Sequence, residues 1–77
     1  MHNKVTDFPQ YRMISGRKVY YKITSDLHFV ELSWIGEKKL VFEVNALQYP
    51  EKLKIMDMLS CLPPYELLPG ELIPLFD

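Results

Sequence analysis

Cysteine and histidine are scarce in this chain. Its 77 residues include one cysteine, Cys61, so no intrachain disulfide can form. The two histidines, His2 and His28, do not combine with Cys61 into the closely spaced ligand pairs that a structural zinc site requires. We therefore expect no metal and no other cofactor. A domain this short then needs an efficient hydrophobic core, a partner chain, or both.

Long apolar segments are also missing. No run approaches the roughly 20 apolar residues that a membrane-spanning helix needs. The first ten residues, MHNKVTDFPQ, contain no apolar stretch typical of a signal peptide. These absences predict a protein that does not associate with membranes and that lies in the cytoplasm, where a single thiol stays reduced.

Residue patterns typical of catalysis are lacking as well. The three glycines, Gly16, Gly36 and Gly70, are isolated from one another, so no glycine-rich loop is available to bind phosphate. Cys61 and His28 are a conceivable nucleophile and base. However, Cys61 falls in the last turn of a predicted helix, where the negative end of the helix dipole disfavours a thiolate. We therefore predict that the chain is not an enzyme.

Apolar and aromatic residues, by contrast, are abundant, at 48% and 13% of the chain. This composition indicates one folded domain over residues 1–77, with a flexible N-terminal segment at 1–9. From Tyr11 to Val44, β-branched and aromatic residues dominate, and short turn signals interrupt them. The pattern predicts an antiparallel β-meander of four strands, at residues 10–15, 18–24, 27–35 and 39–45.

The turn lengths decide which residues share a face of the sheet, because side chains alternate between its two faces. We expect two-residue turns at Gly16-Arg17 and Ser25-Asp26 and a three-residue loop at 36–38. The first face is then apolar and would pack against the helix: Ile14, Val19, Tyr21, Ile23, Val30, Leu32, Trp34, Leu40, Phe42 and Val44. The second face is mixed: Tyr11, Met13, Lys18, Tyr20, Lys22, Leu27, Phe29, Glu31, Ser33, Val41 and Glu43.

A helix is predicted at residues 50–62, which makes the fold class α+β. Pro50 suits the first turn of a helix, and Pro63-Pro64 ends it. Its apolar arc is wider than the stripe of a helix that lies on a sheet: Ile55, Met56, Met58, Leu59 and Leu62. The remaining residues, 63–77, form an apolar tail interrupted by proline, and we expect it to be ordered and extended.

The second face suggests a function, because exposed apolar patches of this size usually mark an interaction surface. The predicted surface consists of Tyr11, Met13, Tyr20, Phe29 and Val41. The tail could cover this face within the chain, or a partner protein or a second copy could cover it. We predict a small, non-catalytic protein-interaction module, an accessory or regulatory subunit that self-associates through this face or through its tail.

Single-stranded nucleic-acid binding is the alternative. Aromatic rings beside lysines on a sheet surface can stack bases and hold phosphates. The residues concerned are Tyr11, Lys18, Tyr20, Lys22 and Phe29. A net charge of −1 does not favour this alternative, because binding to the phosphate backbone depends on positive charge.

Overall fold

The structure is a computed structural model, and it describes residues 7–77. These residues form one antiparallel sheet in the order β4-β3-β2-β1-β5, with one α-helix and a C-terminal 3₁₀-helix. The elements are β1 (Gln10–Ile14), β2 (Tyr20–Ser25), β3 (His28–Ile35), β4 (Lys38–Asn45), α1 (Tyr49–Leu59), β5 (Tyr65–Leu67) and the 3₁₀-helix (Gly70–Phe76). The predicted α+β fold, a meander followed by a helix on one face, is confirmed.

The pairing of β1 with β2 is the predicted one, with Arg12 opposite Tyr21. The turn between these strands is not. The Arg17 N–H donates to the Ile14 carbonyl at 3.1 Å, so Ser15 and Gly16 are the central residues. Gly16 has φ +73° at the second central position, where a type II turn requires a positive φ.

The turn between β2 and β3 lies one residue later than predicted, at Asp26 and Leu27. The Ser25 hydroxyl oxygen accepts the Leu27 N–H at 3.1 Å and so holds the turn. The ladder shifts between Ile23 and Ser25, and the extra residue, Thr24, donates its hydroxyl to the His28 carbonyl at 3.2 Å. A turn displacement and a β-bulge therefore act together here.

The bulge turns β3 over relative to the prediction, because the displaced turn alone changes the register by two residues and keeps each side chain on its predicted face. Ile23 lies opposite Phe29, not opposite His28. A register change by one residue moves every side chain of a strand to the other face. The prediction that Val30, Leu32 and Trp34 face the helix is therefore wrong.

The connection from β3 to β4 returns the side chains of β4 to the faces predicted for them. It has two residues, Gly36 and Glu37, because Ile35 pairs directly with Lys38. Gly36 has φ +62° at the first central position, as a type II′ turn requires. The predicted three-residue loop is wrong, but the two errors cancel, and the three apolar residues Leu40, Phe42 and Val44 lie on the predicted side of β4.

α1 begins at Tyr49, one residue before Pro50, and the Glu51 carboxylate accepts the Gln48 N–H at 3.1 Å. It ends at Leu59, three residues earlier than predicted. Leu62 N–H donates to the Asp57 carbonyl and Cys61 N–H to the Met58 carbonyl, the two bonds of a Schellman motif.

One core lies between α1 and the sheet, on what we call the helix face. Its buried members are Tyr21, Ile23, Phe29, Ala46, Ile55 and Met58, and Phe8 packs against them. Residues 1–6 of the predicted flexible segment lie outside the described residues. Arg12, only 6% exposed, donates from Nε to the Met58 carbonyl at 2.8 Å and from a terminal nitrogen to the Leu59 carbonyl at 3.4 Å. Its positive charge therefore meets the negative end of the helix dipole.

The tail forms a second core on the opposite side, which we call the tail face. β5 pairs with β1, with Tyr65 opposite Ile14, and the 3₁₀-helix then lies on the tail face. The buried members of this core are Tyr20, Leu32 and Leu68. The tail is ordered, as predicted, but it consists of a strand and a 3₁₀-helix where an extended segment was expected.

Candidate functional site

Three residues of the predicted interaction surface, Tyr11, Met13 and Tyr20, lie together on the tail face, and the tail covers them. Tyr20 is 8% exposed and packs edge-on against Trp34, with ring centroids 5.7 Å apart. The Tyr11 ring contacts the Phe76 ring, with centroids 5.6 Å apart. Much of the surface that the sequence offered to a partner is thus occupied by the chain's own C-terminal residues.

The other two residues lie elsewhere. Phe29 is on the helix face and is 2% exposed, because β3 is turned over, so placing it on the second face was wrong. Val41 is on the tail face and 56% exposed, in the outermost strand. The five residues do not form one continuous patch.

The fold also does not bring together the residues predicted to bind single-stranded nucleic acid, so their rings do not form one surface on which bases could stack. Tyr11 and Tyr20 are covered as described, and Phe29 is on the other face. Lys18 is exposed in the loop before β2, and Lys22 is half-buried within β2.

The outer edge of β4 is the clearest candidate site, because within residues 7–77 no strand pairs with it. The direction of its backbone groups follows from the Ala46 N–H, which donates inward to the Leu27 carbonyl at 2.7 Å. The β3–β4 pairing continues without a shift, and backbone direction alternates along a strand. The N–H and C=O groups of Lys39, Val41 and Glu43 therefore point outward.

The side chains of this edge are exposed on both faces. Val41 on the tail face is 56% exposed, and Phe42 on the helix face is 52% exposed. Lys39 donates from Nζ to the Leu75 carbonyl at 2.8 Å, which ties the end of the tail to β4. Glu43 is mostly exposed, with Oε1 3.3 Å from Nε2 of His28. The edge thus combines apolar contact area with two basic side chains, Lys38 and Lys39, and one acidic side chain, Glu43.

The opposite edge of the sheet is different. β5 has three residues, and the Ser15 N–H beside it donates to the Pro64 carbonyl at 2.9 Å. Natural sheets limit edge-to-edge pairing with such short edge strands. β4, with eight residues, is a much longer template.

A second apolar surface lies on the outer side of α1. Tyr49, Leu53 and Met56 follow one another at helical spacings of four and three residues, and they are 70%, 38% and 59% exposed. The prediction that Met56 belongs to the packed arc is therefore wrong. Leu62, also predicted to pack, is 49% exposed.

A charged and aromatic cluster joins α1 to the helix face. Lys54 Nζ lies 5.0 Å from the centre of the Tyr21 ring and 3.7 Å from Oε1 of Glu31. Burial, followed by the negative charge of Glu31, raises the pKa of Tyr21 well above its ordinary range. Burial also raises the pKa of Tyr65 nearby. Because Tyr21 is 2% exposed, this cluster holds the helix on the sheet and offers little surface to a ligand.

Two further findings concern residues 7–77. They contain no helix with the length and apolar character needed to cross a bilayer. No three His, Cys, Asp or Glu side chains in this part of the chain lie close enough to hold a metal ion. Comparison of the chain with protein-family models, with curated proteins and with solved structures gave no match.

Proposed function

We propose that this chain is a small, non-catalytic protein-interaction module that self-associates through the outer edge of β4. The observation that carries the proposal is the eight-residue edge, at which no strand of residues 7–77 pairs. An exposed strand of this length can add a strand from another chain, with affinity from main-chain hydrogen bonds and specificity from side chains.

The apolar second face, from which the sequence predicts this function, contributes only part of the proposed interface. The tail covers Tyr11, Met13 and Tyr20, so those residues contribute to the module's own stability. Val41 is the one member of the predicted surface that remains more than half exposed, and it lies on the β4 edge. An accessory role in the cytoplasm belongs to the same proposal, supported by a single cysteine and therefore no intrachain disulfide.

Sedimentation velocity from low to high micromolar concentration, together with amide hydrogen exchange, tests the proposal. We expect a concentration-dependent dimer in which the outward amides of Lys39, Val41 and Glu43 become protected. In the monomer these amides face solvent and exchange quickly, whereas inward amides such as that of Phe42 are already protected. A chain that stays monomeric at high micromolar concentration, with unprotected outward amides, would overturn the proposal.

A matched pair of proline variants shows whether any association uses this edge. Val41→Pro removes an outward N–H, which an edge strand tolerates. We expect it to abolish association and to keep the circular dichroism spectrum of the parent. Phe42→Pro removes an inward N–H that pairs with β3, and we expect it to lower the unfolding midpoint strongly. Association that persists in Val41→Pro would place the interface elsewhere.

A further inference from the structure

The charges on the β4 edge indicate what pairs with it. Lys39 and Glu43 lie two residues on either side of Val41, and all three side chains lie on the tail face. The backbone groups of the same three residues point outward, as the inward Ala46–Leu27 hydrogen bond requires. Two side chains of opposite charge are therefore spaced equally on either side of Val41. The outward backbone groups are also spaced equally about Val41.

We infer that the occupant of the β4 edge is a second copy of this chain, paired antiparallel about a two-fold axis at Val41. This inference rests on the proposed self-association and specifies the register in which the two copies pair. In this register Val41 lies opposite Val41 of the second copy, and Lys39 lies opposite its Glu43. A two-fold axis repeats the Lys39–Glu43 pair, so one self-complementary sequence supplies two cross-strand ion pairs.

Backbone geometry excludes half of the other registers. A shift by one residue would set an outward group of one copy against Phe42 of the other, whose N–H and C=O point toward β3. Such a pair cannot form the alternating hydrogen bonds of an antiparallel ladder. Only shifts by an even number of residues remain possible.

Charge selects among the remaining registers. A shift by two residues in one direction places Glu43 opposite Glu37 of the second copy. The same shift in the other direction places Val41 opposite Glu43 and leaves Lys39 opposite Asn45. Like charges directly opposite each other destabilise a sheet, and opposite charges stabilise it. The register centred on Val41 is the one among these in which Lys39 and Glu43 meet.

The same register covers apolar surface on the helix face. Phe42, 52% exposed in the single chain, lies opposite Leu40 of the second copy. Lys39 can keep its bond to the Leu75 carbonyl, because an ammonium group has three donors. The net charge of −1 produces little overall repulsion between two copies. The pair would form one continuous sheet with both helices on the same face.

Charge reversal tests the register. Lys39→Glu or Glu43→Lys alone places like charges opposite each other, and we expect each to weaken dimerisation on the order of tenfold at low salt. The double variant restores opposite charges, and we expect it to restore parental dimerisation. Lys38→Glu is the matched control: it changes the net charge by the same amount as Lys39→Glu but lies opposite Val44 of the second copy. Its effect should be much smaller.

Cysteine cross-linking gives an independent test that does not depend on those charges. In a Cys61→Ser background, Val41→Cys should form a disulfide-linked dimer on oxidation, because residues directly opposite have Cα atoms about 5.5 Å apart. A Lys39→Cys chain mixed with a Glu43→Cys chain should cross-link. Either chain alone should not, because equivalent residues are then four positions, or about 13 Å, apart along the strands.

The outcomes separate this inference from the proposed function. If the parent dimerises with protected outward amides, but charge reversal is not rescued and Val41→Cys does not cross-link, the register is wrong and the function stands. If the parent does not associate, both are overturned. Rescue together with the expected cross-linking pattern supports both.

Discussion

Cys61 is the one non-glycine residue among 7–77 with a positive φ, +54°. It follows the C-cap of α1, in the position where helices commonly end in the left-handed conformation and where glycine is the usual residue. A side chain with a Cβ atom is strained in that conformation. The thiol is exposed, so it is not needed for packing.

Cys61→Gly should therefore stabilise the chain by about 0.5–1 kcal/mol, since relief of the left-handed strain exceeds the entropy cost of glycine. Urea unfolding under reducing conditions measures the change. Ser60→Gly is the matched control, because Ser60 has φ −86° and gains no relief. Equal effects of the two substitutions would contradict the strain at Cys61.

The buried Tyr21 side chain makes the free energy of unfolding depend on pH. Its pKa is raised in the folded state by burial and by the Glu31 charge, from an ordinary value of 10.0. The folded state thus favours the neutral phenol. Its contribution to the free energy of unfolding is complete below pH 10 and is lost as the pH rises above 10 toward the folded-state pKa.

We accordingly expect the urea midpoint of the parent to fall between pH 9 and pH 11, and to fall less in Tyr21→Phe, which has no hydroxyl to ionise. Slopes against pH are the quantity to compare, because the substitution also changes absolute stability. Tyr49→Phe, at a ring that is 70% exposed, is the control. Parallel slopes for Tyr21→Phe and the parent would contradict the prediction.

The burial of Arg12 could not be predicted from the local sequence pattern. Nothing in its neighbours marks an arginine in a strand as buried, and charged residues are rarely buried without a partner. Arg12 donates locally to the Tyr11 carbonyl and to Gln10 Oε1. Its other two acceptors are the carbonyls of Met58 and Leu59, more than forty residues away. Only the docking of the helix end creates that environment.

At the scale of elements, β3 is the strand whose helix-facing side the sequence did not predict correctly. Its sequence HFVELSWI carries large apolar residues on both alternating sets, Phe29 on one and Leu32 and Trp34 on the other. Either set could face the helix by composition. The bulge at Thr24 made the choice. The two hydroxyl residues before Asp26 are typical of a turn, but they do not mark Thr24 as an extra residue in the strand.

Two adjacent leucines of the tail differ in burial and allow its packing on the sheet to be tested. Leu68 is 8% exposed in the tail-face core, whereas Leu67 is 65% exposed in β5. We expect Leu68→Ala to lower the free energy of unfolding by about 2–3 kcal/mol, through lost transfer energy and a cavity. Leu67→Ala should cost less than about 0.5 kcal/mol. Chemical denaturation measures both, and comparable losses would contradict the packing of the tail on the sheet.

At the scale of the whole molecule, one sheet supports two cores. The helix covers one face and the tail covers the other, so strands β2 and β3 contribute to both. This arrangement explains how a chain with one cysteine and no disulfide can bury enough apolar area. It leaves the last strand of the meander, β4, as the long edge available for association.

Local sequence signals were sufficient to predict the number of meander strands, their approximate bounds, the helix after them and an ordered tail. These features depend on local signals, such as glycine at turns, Pro50 and Pro63-Pro64 at the helix ends, and runs of β-branched residues. Two features could not be predicted from local signals: which side of β3 meets the helix, and that the tail covers Tyr11, Met13 and Tyr20. Both faces of β3 carry large apolar residues, and strand side chains repeat every two residues. A one-residue shift therefore exchanges two faces that can each contribute to a core, and only contacts between distant parts of the chain select one.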